Sequence, residues 1–169
     1  MDPALDLRLR FPVDDQALSE LHARAFGHPG SEAQPWQRRL QHYSLTWVGA
    51  FSGAALVGFA NACWDGGSHA FVLDTAVDPN YQRQGVGRAL VQALVEQARA
   101  AGCEWLHVDY EPHLAAFYRD ACGFRASDAG LLHLDPVGVR PGRPRADSQR
   151  QRMVPPACGG DVVDEELGS

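Results

Sequence analysis

The run of strand-like and helix-like segments predicts an α/β fold around a mixed, mostly antiparallel sheet. Three observations carry that expectation. Residues 45–51, 55–64 and 69–77 read as strands joined only by Ser52-Gly53 and Asp65-Gly66-Gly67, which favours an antiparallel meander. A helical stretch separates the last of them from a further strand at 104–110, and a strand–helix–strand step implies a parallel pair. Apolar residues outside these segments recur at helical spacing, so helices flank the sheet.

Leu5-Asp-Leu-Arg-Leu-Arg-Phe11 alternates as a half-buried strand does. Asp14 or Asp15 can cap a helix that carries Leu18, Leu21, Ala25 and Phe26 on one stripe and stops at Gly27. Gly27 to Pro35 is a loop, and about Trp36 to His42 a short helix. After the meander, Asp78-Pro79 breaks the third strand. Gly85 to Ala101 spaces Leu90, Leu94 and Ala98 along one helical face, and Gly102 ends it. Pro112 opens a short helix that runs to Ala121 and ends at Gly123. Phe124–Ser127 and Gly130–Leu134 are expected to close the sheet as a pair of strands.

At 169 residues and 45% hydrophobic, the chain fits one folded domain with room for a tail. A net charge of −6 argues against nucleic acid as the main partner. No apolar run approaches the roughly 20 residues that span a bilayer, and Met1 to Pro12 shows no signal-peptide core. No membrane partner and a cytoplasmic location are therefore expected. All fifteen basic residues are Arg, which excludes lysine Schiff-base chemistry and lysine-based phosphate loops. Cys63, Cys103, Cys122 and Cys158 form no CxxC pair, so neither a metal site nor a disulfide framework is signalled. Residues 1–135 hold ten Arg against sixteen Asp and Glu; residues 136–169 hold five of each, with five Pro, five Gly and no apolar period. The functional domain is expected to be 1–135. Residues 136–169 are expected to be a flexible extension, dispensable for the chemistry.

The segment with most chemical content runs from Leu73 to Leu90. A strand ends, a loop crosses, and a helix starts on Gly85 and Gly87. Free N–H groups at a helix start, with the helix dipole, favour an anion above them. The missing Cβ atoms let a phosphate approach the backbone, and Arg83 and Arg88 add positive charge. The physical reading is a pyrophosphate cradle. A Walker loop requires Lys, and a dinucleotide fingerprint requires Gly or Ala where Leu90 stands, so both fail.

Gln82-Arg-Gln-Gly85-Val-Gly87 resembles the Q/R-x-x-G-x-G/A motif of the GNAT superfamily of N-acetyltransferases. Ala76-Val-Asp-Pro79 resembles the end of that family's fourth strand, and Tyr118 to Gly123-Phe124, with four residues between Tyr and Gly where the motif has three, its Tyr-x-x-x-Gly-Phe region. The resemblance covers roughly residues 5–135 in the order of elements. It implies a GNAT fold with six or seven strands, a splayed parallel pair and about four helices. It implies acetyl-CoA as donor and no metal. Main-chain groups at Thr75, Ala76 and Val77 would bind the pantetheine arm and thioester. The turn Gln82, Arg83, Gln84, Gly85, Val86, Gly87, Arg88 and Ala89 would hold the pyrophosphate, and Tyr118 would lie near the sulfur. Glu111 stands where many members carry Asn, and places an extra carboxylate near the cleft.

Acetyl transfer to an amine needs a neutral amine, a polarised carbonyl and a proton for the leaving thiolate. Tyr118 is the candidate acid. The base is open between Asp74, which strands disfavour, His69, whose ordinary pKa near 6.5 suits the task, and Glu111. His107 and Asp109 share a strand face, yet no third ligand accompanies them. In the family's fold the acceptor would meet His28, Trp36, Trp64, Asp65, Asp109 and Tyr110. A small-molecule amine is the expected acceptor. A non-catalytic acyl-CoA-binding module and a peptide or protein N-acetyltransferase are the alternatives. Homodimers are common in the family, and nothing in the sequence demands one.

Overall fold

Five strands form one sheet, in the order β1 (Asp6–Leu9), β2 (Ser44–Ser52), β3 (Ala55–Trp64), β4 (His69–Val77) and β5 (Trp105–Val108). The first four run antiparallel to their neighbours, and β4 and β5 run parallel. The computed structural model describes residues 5–28 and 32–134. The chain divides into two units at Asp128, and of the second the described residues, 129–134, are exposed and irregular.

Three α-helices flank the sheet: α1 (Asp15–Phe26), α2 (Trp36–Tyr43) and α3 (Val86–Ala100). Asp14 caps α1, its carboxylate accepting from the Ala17 N–H at 3.0 Å. Asp15 instead ties α1 to α2, accepting from the Gln37 N–H at 2.8 Å. Each sheet face has its own core. On one, Leu18, Leu21, Trp36 and Leu40 pack on Trp47, Phe51, Phe59 and Ala76. On the other, Val86, Leu90 and Leu94 pack on Val48, Ala60, Ala62 and Val72. The helical stripes read from sequence point inward, except that Phe26 is half exposed.

Several expectations are corrected. The first strand is exposed along its length; Phe11 and Val13, just after it, are the buried residues. The segment after β5 is a 3₁₀ turn (Pro112–Leu114) followed by a π-helical turn (Ala116–Ala121) rather than one α-helix. The closing strands at 124–127 and 130–134 do not form, so the sheet has five strands instead of six or seven. Part of the reason lies at the end of the π-helical turn. The Gly123 and Phe124 N–H groups turn back to the Arg119 and Tyr118 carbonyls, and are spent capping that turn. The extension expected over 136–169 lies outside the described residues. Among the described residues no helix is long and apolar enough to cross a membrane, and no group of three His, Cys, Asp or Glu could hold a metal ion.

Candidate active site

The parallel ladder between β4 and β5 ends at the pair Val72 and Val108. From Leu73 to Val77, β4 continues with no strand on that side. The Asp78 N–H donates to the Val57 carbonyl across the β3 side at 2.9 Å. Antiparallel pairing alternates, so Val77 turns its N–H and carbonyl the other way, toward the open edge. The Gln82 side chain confirms the direction by donating to the Val77 carbonyl at 3.1 Å. The two strands thus part beyond Val72 and Val108, and β4 keeps main-chain groups with no partner strand on that side.

The helix start lies next to this edge. Asp78 holds the turn that leads to it, accepting from the Asn80 N–H and from Arg24 of α1 at 2.9 Å. Gln84 donates to the Asn80 carbonyl at 2.8 Å. The side chains of Gln82 and Gln84 therefore brace the turn. Gly85 caps α3 in the left-handed region, at φ 85°, and a Cβ there would meet nothing within 4 Å. Gly87 is glycine for another reason: a Cβ would stand 3.2 Å from the Phe117 ring. The N–H groups of Gly85, Val86, Gly87 and Arg88 have no partner within the helix. No turn, cap or side-chain hydrogen bond among the described residues uses them. Arg83 and Arg88 are exposed, and neither forms an ion pair among the described residues. Val86 itself is core, and Ala89 continues the helix by donating to the Gly85 carbonyl. Two free cations and a row of free amides suit a diphosphate.

Tyr118 neighbours Thr75 of this edge. It is 6% exposed, stacks on Tyr110 with ring centroids 5.0 Å apart, and meets Phe117 and Phe124 edge-on. Burial raises its pKa, and the neighbouring Thr75 hydroxyl pulls the other way, short of a closed hydrogen bond. The phenol therefore keeps its proton at neutral pH. The Thr75 hydroxyl is buried and unpartnered, on the first residue past Asp74 of the open edge. Such an orphan suits a polar ligand at that edge.

Asp74 sits at a β-bulge. Asn61 pairs with Leu73 and Phe59 with Ala76, so Ala60 alone spans Asp74 and Thr75. Asp74 adopts φ 53°, unusual for any residue but glycine. The bulge separates it from Val72: Asp74 and Ala76 face α1 and α2, whereas Val72 faces α3. Asp74 Oδ2 accepts from Arg39 Nη2 and from Asn61 Nδ2, each at 2.8 Å, and Oδ1 lies 3.5 Å from His22 Nε2. Burial raises the Asp74 pKa, but His22, the Arg39 charge and Asn61 together outweigh it and hold the carboxyl below its ordinary value. A pocket of about 310 Å³ opens here, lined by Arg39, Tyr43, Asn61, Cys63, Leu73 and Asp74.

The other expected site residues are dispersed. His69 opens β4 at the closed end of the parallel pair, five residues from Asp74, or about 17 Å at the rise of an extended strand. Its Nδ1 lies 2.7 Å from His107 Nε2. Trp64 and Asp65 belong to the same hairpin end: Trp64 donates to the Gly67 carbonyl, and Asp65 accepts from the Gly67 and His69 N–H groups. The Gly67 bond is the main reason why the Asp65 pKa is lowered. Trp36 is 3% exposed and belongs to the core, its indole donating to Ser19 Oγ. His28 and Asp109 are exposed, and the Tyr110 hydroxyl accepts from Arg119. Glu111 is exposed just beyond β5. None of the six expected acceptor residues lines the pocket. Arg39, Asn61 and His22, which sequence reasoning missed, gather at Asp74; the only signal for them was a carboxylate inside an apolar strand.

Residues 16–124 match the model of the acetyltransferase (GNAT) family. The chain belongs to that family. This GNAT chain is 34% identical over 110 residues to serotonin N-acetyltransferase 2, chloroplastic, of rice, covering 63% of this chain and 54% of the rice protein. It is 35% identical over 120 residues to the N-alpha-acetyltransferase RimI of Mycobacterium tuberculosis, covering 67% of this chain and 73% of that one. It thus spans about half the length of the rice relative. Among solved structures, an acetyltransferase of Trypanosoma brucei superposes with a TM-score of 0.65 at 26% identity, covering 78% of this chain and 99% of that one. An aminoglycoside acetyltransferase from a soil metagenome, crystallised with sisomicin, shares the fold at 19% identity and a TM-score of 0.64, over 79% of this chain and 96% of that one. The splayed strands and the glycine-started helix are thus a GNAT arrangement, with five strands.

Proposed function

We propose that this GNAT chain transfers an acetyl group from acetyl-CoA to the amine of a small molecule by direct attack. The observation that carries the reading is the row of free amides from Gly85 to Arg88, flanked by Arg83 and Arg88, beside the open edge of β4. The turn 82–89 would bind the diphosphate. Of the expected residues Thr75, Ala76 and Val77, Val77 has its main-chain N–H and carbonyl on the open edge and would take the pantetheine arm and polarise the thioester carbonyl, with the Thr75 hydroxyl beside it. Tyr118, protonated and buried across the cleft, would give its proton to the leaving sulfur. The acceptor amine would lose its proton to Asp74 or Glu111, directly or through water. Half-buried free thiols at Cys63, Cys103 and Cys122 suit a reducing, cytoplasmic setting.

The test is calorimetric titration with acetyl-CoA, followed by release of free CoA across a panel of amines. Folded protein that does not bind acetyl-CoA would overturn the reading. Binding without thiol release from any acceptor would make the chain a non-catalytic acyl-CoA module. The likeness to RimI favours a second reading, acetylation of a peptide or protein amino terminus. Peptide substrates in the same assay separate the two.

A further inference from the structure

We infer that the pocket beside Asp74 selects a zwitterionic acceptor, an apolar α-amino acid with both amino and carboxylate groups free, over a simple cationic amine. The inference rests on the acetyl-transfer reading above and names the substrate class of that site.

The pocket walls carry one cation and one anion, joined at 2.8 Å between Arg39 Nη2 and Asp74 Oδ2. The pair is partly open to solvent, with side chains 47% and 23% exposed. A simple ammonium that approaches Asp74 meets the Arg39 cation on the same oxygen, and repulsion offsets much of the attraction. A zwitterion has no such conflict. Its ammonium meets Asp74 and its carboxylate meets Arg39, whose planar fork takes carboxylates at two points.

Both partners can exchange without being stranded. Arg39 lies over the Trp36 ring, 4.0 Å from its centroid, so its seat does not depend on Asp74. Asp74 keeps Asn61 at 2.8 Å and His22 at 3.5 Å. The Arg39–Asp74 contact is therefore the one a ligand can open. Apart from Ser44 and Asn61, which hydrogen-bond to each other, the rest of the lining is apolar: Leu73 is 45% exposed and Tyr43 71% exposed, with Cys63 of β3 beside them. A small apolar side chain fits that wall, and about 310 Å³ suits a ligand of this size. Asp74 immediately precedes Thr75, so an amine on Asp74 stands at the start of the open edge that faces Tyr118.

The test uses full-length protein with acetyl-CoA. Leucine, methionine and phenylalanine are compared with their decarboxylated amines, by CoA release and by calorimetric binding to CoA-loaded protein. The expected result is at least a tenfold higher kcat/KM for the amino acids. Arg39→Gln raises their KM at least tenfold and lowers that of the decarboxylated amines, because the repelling cation is gone, and Arg39→Lys recovers part of the loss. Equal turnover of both series overturns the inference, as does an Arg39→Gln loss shared by all acceptors. So does protein that binds acetyl-CoA but neither binds nor acetylates any of the amino acids. Failure to bind acetyl-CoA at all would instead remove the transfer reading, and this inference with it.

Discussion

Val72 and Ala76 are four residues apart in β4, yet they face opposite sides of the sheet. Val72 packs under α3 and Ala76 against α1 and α2. A regular strand would keep them on one face, because side chains alternate with a period of two. The extra residue opposite Ala60 shifts that phase and carries Asp74 to the side of Arg39 and His22. The bulge therefore separates two duties of one strand: core below α3 before it, and open edge after it.

Asp74→Asn tests what the carboxylate does for the fold. Asn tolerates the left-handed backbone almost as well as Asp, so the bulge should survive. The ion pair to Arg39 is lost, and since both side chains reach solvent the expected destabilisation is only about 1 kcal/mol. Asp74→Ala also leaves the Asn61 amide only its 3.4 Å bond to the Leu73 carbonyl and strains the backbone, and is expected to be worse by a further ~1–2 kcal/mol. Urea unfolding of the two variants measures the difference. Equal losses would mean that the backbone and Asn61 are indifferent to this side chain.

The same carboxylate makes stability depend on acidity in a defined direction. Its folded pKa is held below its ordinary value by His22, Arg39 and Asn61 in spite of burial. In the unfolded chain the value is about 3.9. The unfolded state therefore binds more protons in the acid range, and the contribution of Asp74 is complete above about pH 4 and lost as pH falls through the folded value. Unfolding free energies of the parent and Asp74→Asn should differ fully at pH 5 and converge as pH falls below 4 and through the folded value. A gap that widens on acidification would contradict the assigned contacts.

Tyr118→Phe isolates a single hydroxyl. The ring stack on Tyr110 and the contacts with Phe117 and Phe124 survive the change. Unfolding free energy should move by under ~1 kcal/mol, and acetyl-CoA affinity should stay the same. Turnover should fall by roughly 10²–10⁴, the range a positioned general acid supplies. Unchanged CoA release would assign the sulfur's proton to another donor.

Local signals proved legible where a local cause produced the structure. The meander followed from strand runs divided by glycine turns, the cap from the Asp14-Asp15 pair, of which Asp14 fills it, and the face of α3 from Leu90, Leu94 and Ala98. The parallel pair followed from the intervening helix. The bulge was hidden because β4 is apolar on both sides, so period-two alternation has no phase to break. Asp74 could be singled out as foreign to a strand. Arg39 and His22 could not be found, since they reach it from helices 35 and 52 positions earlier in the chain. Trp36, expected at the acceptor site from its place between the first two helices of the family's fold, turns its indole to the Ser19 hydroxyl inside the core.

Gly85→Ala brings the proposed diphosphate seat to a direct measurement. Gly85 lies at φ 85°, where a side chain strains the backbone by roughly 1–2 kcal/mol. The added methyl would meet no atom within 4 Å, so no clash adds to that strain. Unfolding free energy should fall by about that amount. The methyl would stand in open space at the helix start, and if the diphosphate sits on the amides of Val86, Gly87 and Arg88, acetyl-CoA affinity should drop at least tenfold. Denaturation and calorimetry on one preparation separate the two effects. Stability that falls while affinity holds would move the diphosphate away from this turn, and with it the reason for placing the thioester against β4.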